Sequence, residues 1–143
     1  MVCMIIKLNI LQKVQNSAAK VITMTPKREH VTPILAALHW LPIKQRVDFK
    51  VNLYTWKALN DKSPAYLKEL LTPYKPRRSL RSKDQQLLEP PRSRAKYSQY
   101  GERAFQFAAP YLWNQLPMDT RAETDINAFK SKLKSFLFRK AYF

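Results

Sequence analysis

Ten prolines and a single glycine constrain most strongly what this chain of 143 residues can become. Proline donates no backbone hydrogen bond and clashes with the preceding turn, so it bounds helices. Thr25-Pro26 is expected to close a first helix. Thr32-Pro33 and Ser63-Pro64 each read as a capping residue followed by proline at the first helical position, and Pro42 opens the longest helical candidate. Pro73, Pro76, Pro90 and Pro91 forbid a long helix between 72 and 101. Gly101 alone cannot supply a Gly-rich phosphate loop, which needs several glycines for close backbone approach.

Between these breaks the apolar spacing is helical. Over 5–23, Ile10, Leu11, Val14, Ala18, Val21 and Ile22 share one side, and Asn9, Lys13, Asn16 and Lys20 the other. A short helix is expected over 33–39. The stretch 42–60 carries two stripes, Ile43, Val47, Val51, Tyr54 and Ala58 against Phe49, Leu53 and Trp56, as a helix central to its domain would. Arg46, Lys50 and Lys57 lie between the stripes, with stems covering apolar surface and heads in water. A helix follows over 64–71. After Gly101 comes an apolar run through Leu116, where Pro110 implies either a kinked helix or two short ones. Ile126, Phe129, Leu133, Phe136 and Leu137 form one face of a last helix over 125–139, with Thr124 or Asp125 as cap. The expected fold is mainly α. It is a small bundle of five or six helices in a single domain: an N-terminal helical part over 5–71, a long basic proline-containing loop over 72–101 and a C-terminal helical part over 102–139. Short extended pieces are expected near 86–89 and 95–99.

Charge narrows the chemistry. Lys and Arg number 26 against 10 Asp and Glu, a net +16. Such a chain attracts polyanions, nucleic acid first and an acidic membrane surface as the rival. The segment 75–103 holds nine bases against three acids, a net +6. A loop of that length inside a compact domain is unusual unless it is functional or mobile. Its bases are Lys75, Arg77, Arg78, Arg81, Lys83, Arg92, Arg94, Lys96 and Arg103, and Tyr74, Tyr97 and Tyr100 lie in or beside it. Cations interleaved with tyrosines suit single-stranded nucleic acid, where ammonium and guanidinium groups meet phosphates and rings stack on bases. The same residues also fit a solvated loop whose tyrosines tuck back onto helices. Lys130, Lys132 and Lys134 could extend the positive surface along the last helix, or form its wet side alone.

Catalytic readings find little support. His30 and His39 are separated by a proline and a helix, with only Glu29 near, so a structural or surface role is expected. Cys3 is the only cysteine, which excludes an internal disulfide and a cysteine-based zinc site. No serine sits in a Gly-x-Ser-x-Gly turn. Trp40, Trp56 and Trp113 read as core anchors, and His39 to Pro42 as a packed corner between helices. No run approaches the ~18 apolar residues of a membrane span, and no secretion signal follows Met1 to Ile6, so an intracellular protein of nucleus or cytoplasm is expected.

Seven strings occur in an order that carries a resemblance. They are LQKVQNSAAKVIT at 11–23, LHWLPIKQRVDFK at 38–50, YTWKALNDKSPAYLKELLTPY at 54–74, RSLRSKDQQLL at 78–88, PPRSRAK at 90–96, GERAFQFAAPYLWNQLP at 101–117 and FKSKLKSFLF at 129–138. Together they resemble the C-terminal tail of the reverse-transcriptase polyprotein of LINE-type (non-long-terminal-repeat) retrotransposons, the part that follows the polymerase's catalytic region. The resemblance spans about residues 11–138. The aspartate pair that holds the polymerase's metals has no counterpart: Asp48, Asp61, Asp84, Asp119 and Asp125 are isolated. No endonuclease and no zinc knuckle are present either, so no catalytic or metal-binding residue carries over and no cofactor is expected. The resemblance implies a detached tail that is not an enzyme and binds RNA or single-stranded DNA through phosphate contacts. Two alternatives stand beside it. One is a protein-interaction module with an apolar face left uncovered; the other is a relic reading frame without selected activity.

Overall fold

The computed structural model describes residues 2–76, 85–91 and 105–143, with side chains described from Leu8 onward. Helices dominate, as the proline punctuation and apolar spacing predict. Those assigned among the described residues are α1 (Val2–Ile22), α2 (Thr32–Ala37), α3 (Ile43–Leu59), α4 (Ala65–Glu69), α5 (Phe105–Trp113), α6 (Met118–Arg121) and α7 (Ile126–Tyr142). Strands β1 (Thr72–Pro73) and β2 (Leu88–Glu89) pair antiparallel, Thr72 opposite Glu89 and Pro73 opposite Leu88. The apolar run around Pro110 forms one helix, α5, with the proline inside it, and the count exceeds five or six through α6, a turn beyond Pro117 that the apolar spacing did not mark. The extended piece expected at 95–99 lies outside the described residues. No described helix is long and apolar enough to cross a membrane.

Pro42 and Pro64 sit one position earlier relative to their helices than the sequence suggests, and Pro33 one position later. Thr32 is the first residue of α2, with Val31 as N-cap and no side-chain cap bond. Pro64 and Pro117 are themselves the N-caps of α4 and α6, again without a side-chain bond, and Pro42 precedes α3. The carbonyl of the residue before the helix accepts the first intrahelical bond, and proline supplies it as any residue does: Pro42 O accepts from Arg46 N at 3.0 Å, Pro64 O from Leu67 N at 3.1 Å and Pro117 O from Arg121 N at 3.1 Å. Asp125 caps α7 with its carboxylate, Oδ2 accepting from Asn127 N and Ala128 N at 2.9 and 2.8 Å.

Helix ends show what the shortage of glycine entails. Met24, His39 and Asp61 follow α1, α2 and α3 in the left-handed region, at φ 51°, 53° and 54°. Each closes a cap in which the next residue's N–H reaches back five positions: Thr25 to Lys20 O, Trp40 to Leu35 O and Lys62 to Lys57 O, at 2.8 to 2.9 Å. A Cβ in that region costs roughly 1–2 kcal/mol. Met24 is 92% exposed, so its side chain returns nothing. Met24→Gly is expected to raise stability by about 1 kcal/mol in urea denaturation.

The chain packs as two compact units. Unit 1 comprises Met1–Asp48 and Ser135–Phe143, with Ala19, Leu35, Leu41 and Leu137 buried. In it His39 stacks on Phe138 (centroids 5.7 Å apart, 17°), Phe138 packs against Tyr142 at 4.7 Å, and the Tyr142 hydroxyl donates to Trp40 O. The expected packed corner is therefore present, although Trp40 itself is half-buried. Burial pushes the Tyr142 hydroxyl's pKa up, against the opposing pull of Arg46. Unit 2 comprises Phe49–Lys134. Its core is Trp56, Trp113 and Phe129, with Leu53, Ala58, Leu71, Leu88, Ala109, Leu116 and Leu133. Trp56 stacks on Phe129 at 5.6 Å and Trp113 meets the same ring at 6.0 Å. Both indole N–H groups are satisfied, Trp56 Nε1 by Glu123 O and Trp113 Nε1 by Gln86 O, each at 2.8 Å. On α3 Leu53 and Trp56 of the second stripe are buried with Asn52 and Thr55, as is Ala58 of the first, while Val47 and Tyr54 of the first are exposed.

Candidate nucleic-acid interface

The basic segment springs from a clamped stem. Pairing of β1 with β2 brings together the residues that flank 74–87, the first part of the segment, and Tyr74 N–H donates to Leu87 O at 2.9 Å just beyond the ladder. Gln86, at φ 51°, turns the chain into β2. Two residues at the end of α5 hold that side of the stem. Trp113 donates to Gln86 O, and Asn114 satisfies both backbone groups of Leu88, accepting its N–H at 3.0 Å and donating to its carbonyl at 2.8 Å. A two-residue ladder would not persist alone. Asn114→Ala strands a buried donor and acceptor, and is expected to cost about 1–3 kcal/mol in urea denaturation, with faster amide exchange at Leu88.

The structure places five of the tyrosines and cations that the sequence singles out. Tyr74 and Lys75 are exposed at the stem. Lys130 and Lys134 stand four apart on α7, one half-buried and the other exposed, so they share a side of the helix. Lys132 is two positions away, on another side, and is engaged. It bonds Glu123 Oε2 at 2.8 Å and Asp119 O at 3.3 Å. The Glu123 bond raises the Lys132 pKa, and Lys132 in turn holds the Glu123 carboxyl below its usual range, helped by the N–H groups of Asp125 and Thr124. A carboxylate lowered in the fold stabilises above the ordinary carboxylate range, and that contribution is lost as pH falls through its depressed value. Arg77, Arg78, Arg81, Lys83, Arg92, Arg94, Lys96, Tyr97, Tyr100 and Arg103 lie outside the described residues.

Other cations are distributed between structural and free roles. Arg121 is only 6% exposed; its Nη1 donates to Asn114 O at 3.3 Å near the negative end of α5, and burial lowers its pKa. Lys62 stands over the Trp56 ring at 5.0 Å. Unit 1 holds a basic groove that sequence spacing alone did not reveal. It occupies about 630 Å³ beside α1 and is lined by Lys13, Lys20 and Lys27 with Asn16, Ser17 and Thr25 among others. Its signal was Lys13 and Lys20 at a spacing of seven, two helical turns along one side. Among the described residues no three His, Cys, Asp or Glu side chains group closely enough to hold a metal ion.

Asp48 is the half-buried carboxylate of unit 1. Burial raises its pKa, opposed by the attraction of Lys44 and Lys140. A raised carboxylate favours the fold while protonated and loses that advantage as pH climbs through its folded value. Asp48→Asn is therefore expected to raise the melting temperature at pH 7, the gain vanishing as pH falls into the ordinary carboxylate range.

No protein-family model, curated protein or solved structure matches the chain.

Proposed function

We propose that the chain is a non-catalytic nucleic-acid-binding module, a counterpart of the tail that follows the polymerase in LINE-type reverse transcriptases, and that it holds RNA or single-stranded DNA by phosphate contacts. The observation that carries the reading is the charge: +16 overall, with a net +6 concentrated in 75–103. The stem supports it. Both ends of the basic stretch around 77–84 are tied to a buried core, so binding would not require the whole segment to be ordered from a free chain. Tyr74 beside Lys75 offers a ring next to a cation at the root of that stretch.

Phosphate contacts position a strand without reading its sequence. The expected affinity is that of non-specific binding, with Kd on the order of 10⁻⁴–10⁻⁶ M at physiological salt. Fluorescence anisotropy with labelled single-stranded RNA, competed by unrelated RNA, single-stranded DNA and duplex DNA, tests this. Single strands of different sequence should compete within a few-fold of one another, and duplex less well. A strong preference for one sequence, or no binding, would refute the proposal.

A further inference from the structure

Helix α1 is turned opposite to its own amphipathicity. The side it lays on its unit is polar. Gln12 Oε1 accepts the Ile43 N–H at 2.8 Å, and Gln15 Nε2 donates to Leu41 O at 2.9 Å. Gln12 Nε2 ties the pair together through Gln15 Oε1 and Asn16 Oδ1, at 3.0 and 2.8 Å. Ala19 packs fully buried one turn further on. These bonds satisfy the first N–H of α3, which has no partner within its own helix. Rolling α1 to bury its apolar side would strand that N–H and take away one of the two donors to the Leu41 carbonyl, the other being Arg46 Nε at 3.0 Å. The apolar side is left outward by a satisfied polar contact. Ile10, Leu11, Val14, Val21 and Ile22 are each more than half exposed, and Val21 reaches 76%.

The chemistry of this side selects its occupant. Leu11, Val14, Ala18 and Val21 follow the three-four spacing by which one helix packs along another, and Ala18 in the middle permits close approach. The described stripe is wholly aliphatic and lacks the Trp and Tyr that anchor a helix at a bilayer interface. A second copy is opposed by charge. The sequence of α1 contains Lys7, Lys13 and Lys20 and no acid, in a chain of net +16. The lysine groove runs along the stripe's edge, sharing Val21 with it. Lys20 Nζ fixes the groove's far wall by donating to Lys27 O and Glu29 O at 2.7 and 2.6 Å, and Lys13 and Lys27 line the same groove.

We propose that α1 is a docking face for an acidic amphipathic helix of another protein, which lays its apolar seam over Leu11–Val21 and directs Asp or Glu side chains into the groove at Lys13 and Lys27. The site shares no residue with the basic segment proposed to bind nucleic acid, so either proposal can fail without the other.

The test uses the full chain and two labelled helical peptides with leucines at three-four spacing, one carrying glutamate along its flank and one lysine. A glutamate peptide without the leucines is the control. Val14→Gln with Val21→Gln removes apolar contact while keeping charge, and both positions are exposed, so the fold should persist by circular dichroism. The acidic leucine peptide is expected to bind at least about tenfold more tightly than either other peptide, and to lose about tenfold in the double glutamine variant and again in Lys13→Gln with Lys27→Gln. RNA binding should be unchanged in the Val14→Gln, Val21→Gln variant. Equal binding of all peptides, or binding indifferent to the variants, would overturn the proposal. So would a dimer in sedimentation velocity that the same variant abolishes, or binding to phosphatidylserine vesicles that it abolishes, since either would assign the face to a different occupant.

Discussion

Trp56→Ala is expected to destabilise the protein by about 3–5 kcal/mol, a large part of what holds a domain of this size together. Trp56 has no exposed surface, stacks on Phe129, donates its indole N–H to Glu123 O and carries Lys62 over its ring. Removing it empties the largest side chain from the core of unit 2. It also leaves Phe129, which bridges to Trp113, without one of its two neighbours, and deprives the Glu123 carbonyl of its donor. Urea denaturation measures the loss. Two controls separate its parts. Trp56→Phe keeps an aromatic ring but not the N–H, and should cost distinctly less. Tyr54→Ala, two positions earlier on the same helix but 47% exposed, should cost under about 1 kcal/mol. A small effect at Trp56 would mean that this core is not the one that holds unit 2.

Legibility in the sequence followed the range of the interaction. The last helix was readable because Phe129, Leu133 and Leu137 repeat on one face and that face is the buried one, with Asp125 as cap. Periodicity also found the apolar side of α1, but it cannot say which side finds a partner. That was decided by Gln12 and Gln15 reaching the backbone near residue 42, about thirty positions away. Pro33, Pro42 and Pro64 were rightly read as helix starts, but each stands one position away from the first helical position, since a proline marks the first turn without fixing its register. An extended piece at 86–89 was expected, yet its partner Thr72–Pro73 was not legible, since two residues of strand carry no pattern. The same limit hid the pairing of Lys132 with Glu123, nine positions away across the α6–α7 turn. Of the candidate interface, Tyr74, Lys75, Lys130, Lys132 and Lys134 can be placed, and the charge density of 75–103 remains a property of the sequence.

Replacing Arg77, Arg78, Arg81, Arg92 and Arg94 together with alanine should change binding as strongly as Trp56→Ala changes stability. Each cation that neutralises a phosphate of a single strand releases a condensed counterion, adding about 0.7 to the slope of log K against log salt. Five such contacts would supply about 3.5 of that slope, so the variant should bind more weakly at low salt and respond much less to added salt. Urea denaturation of the variant is the control that separates lost binding from lost stability. If the variant kept the full slope, the polyanion would be engaged elsewhere, and the lysine groove beside α1 would be the first region to alter.

Under the proposed function, excess cationic surface is this chain's means of engaging a partner. The affinity of the unaltered protein for single-stranded RNA, measured between about 50 and 200 mM salt, probes that surface without any substitution. With six or more phosphate contacts, each adding about 0.7 to the slope, the affinity should fall by roughly 300-fold or more across that range. An affinity that stays flat with salt, or no measurable affinity at the lowest salt, would contradict a phosphate-binding role.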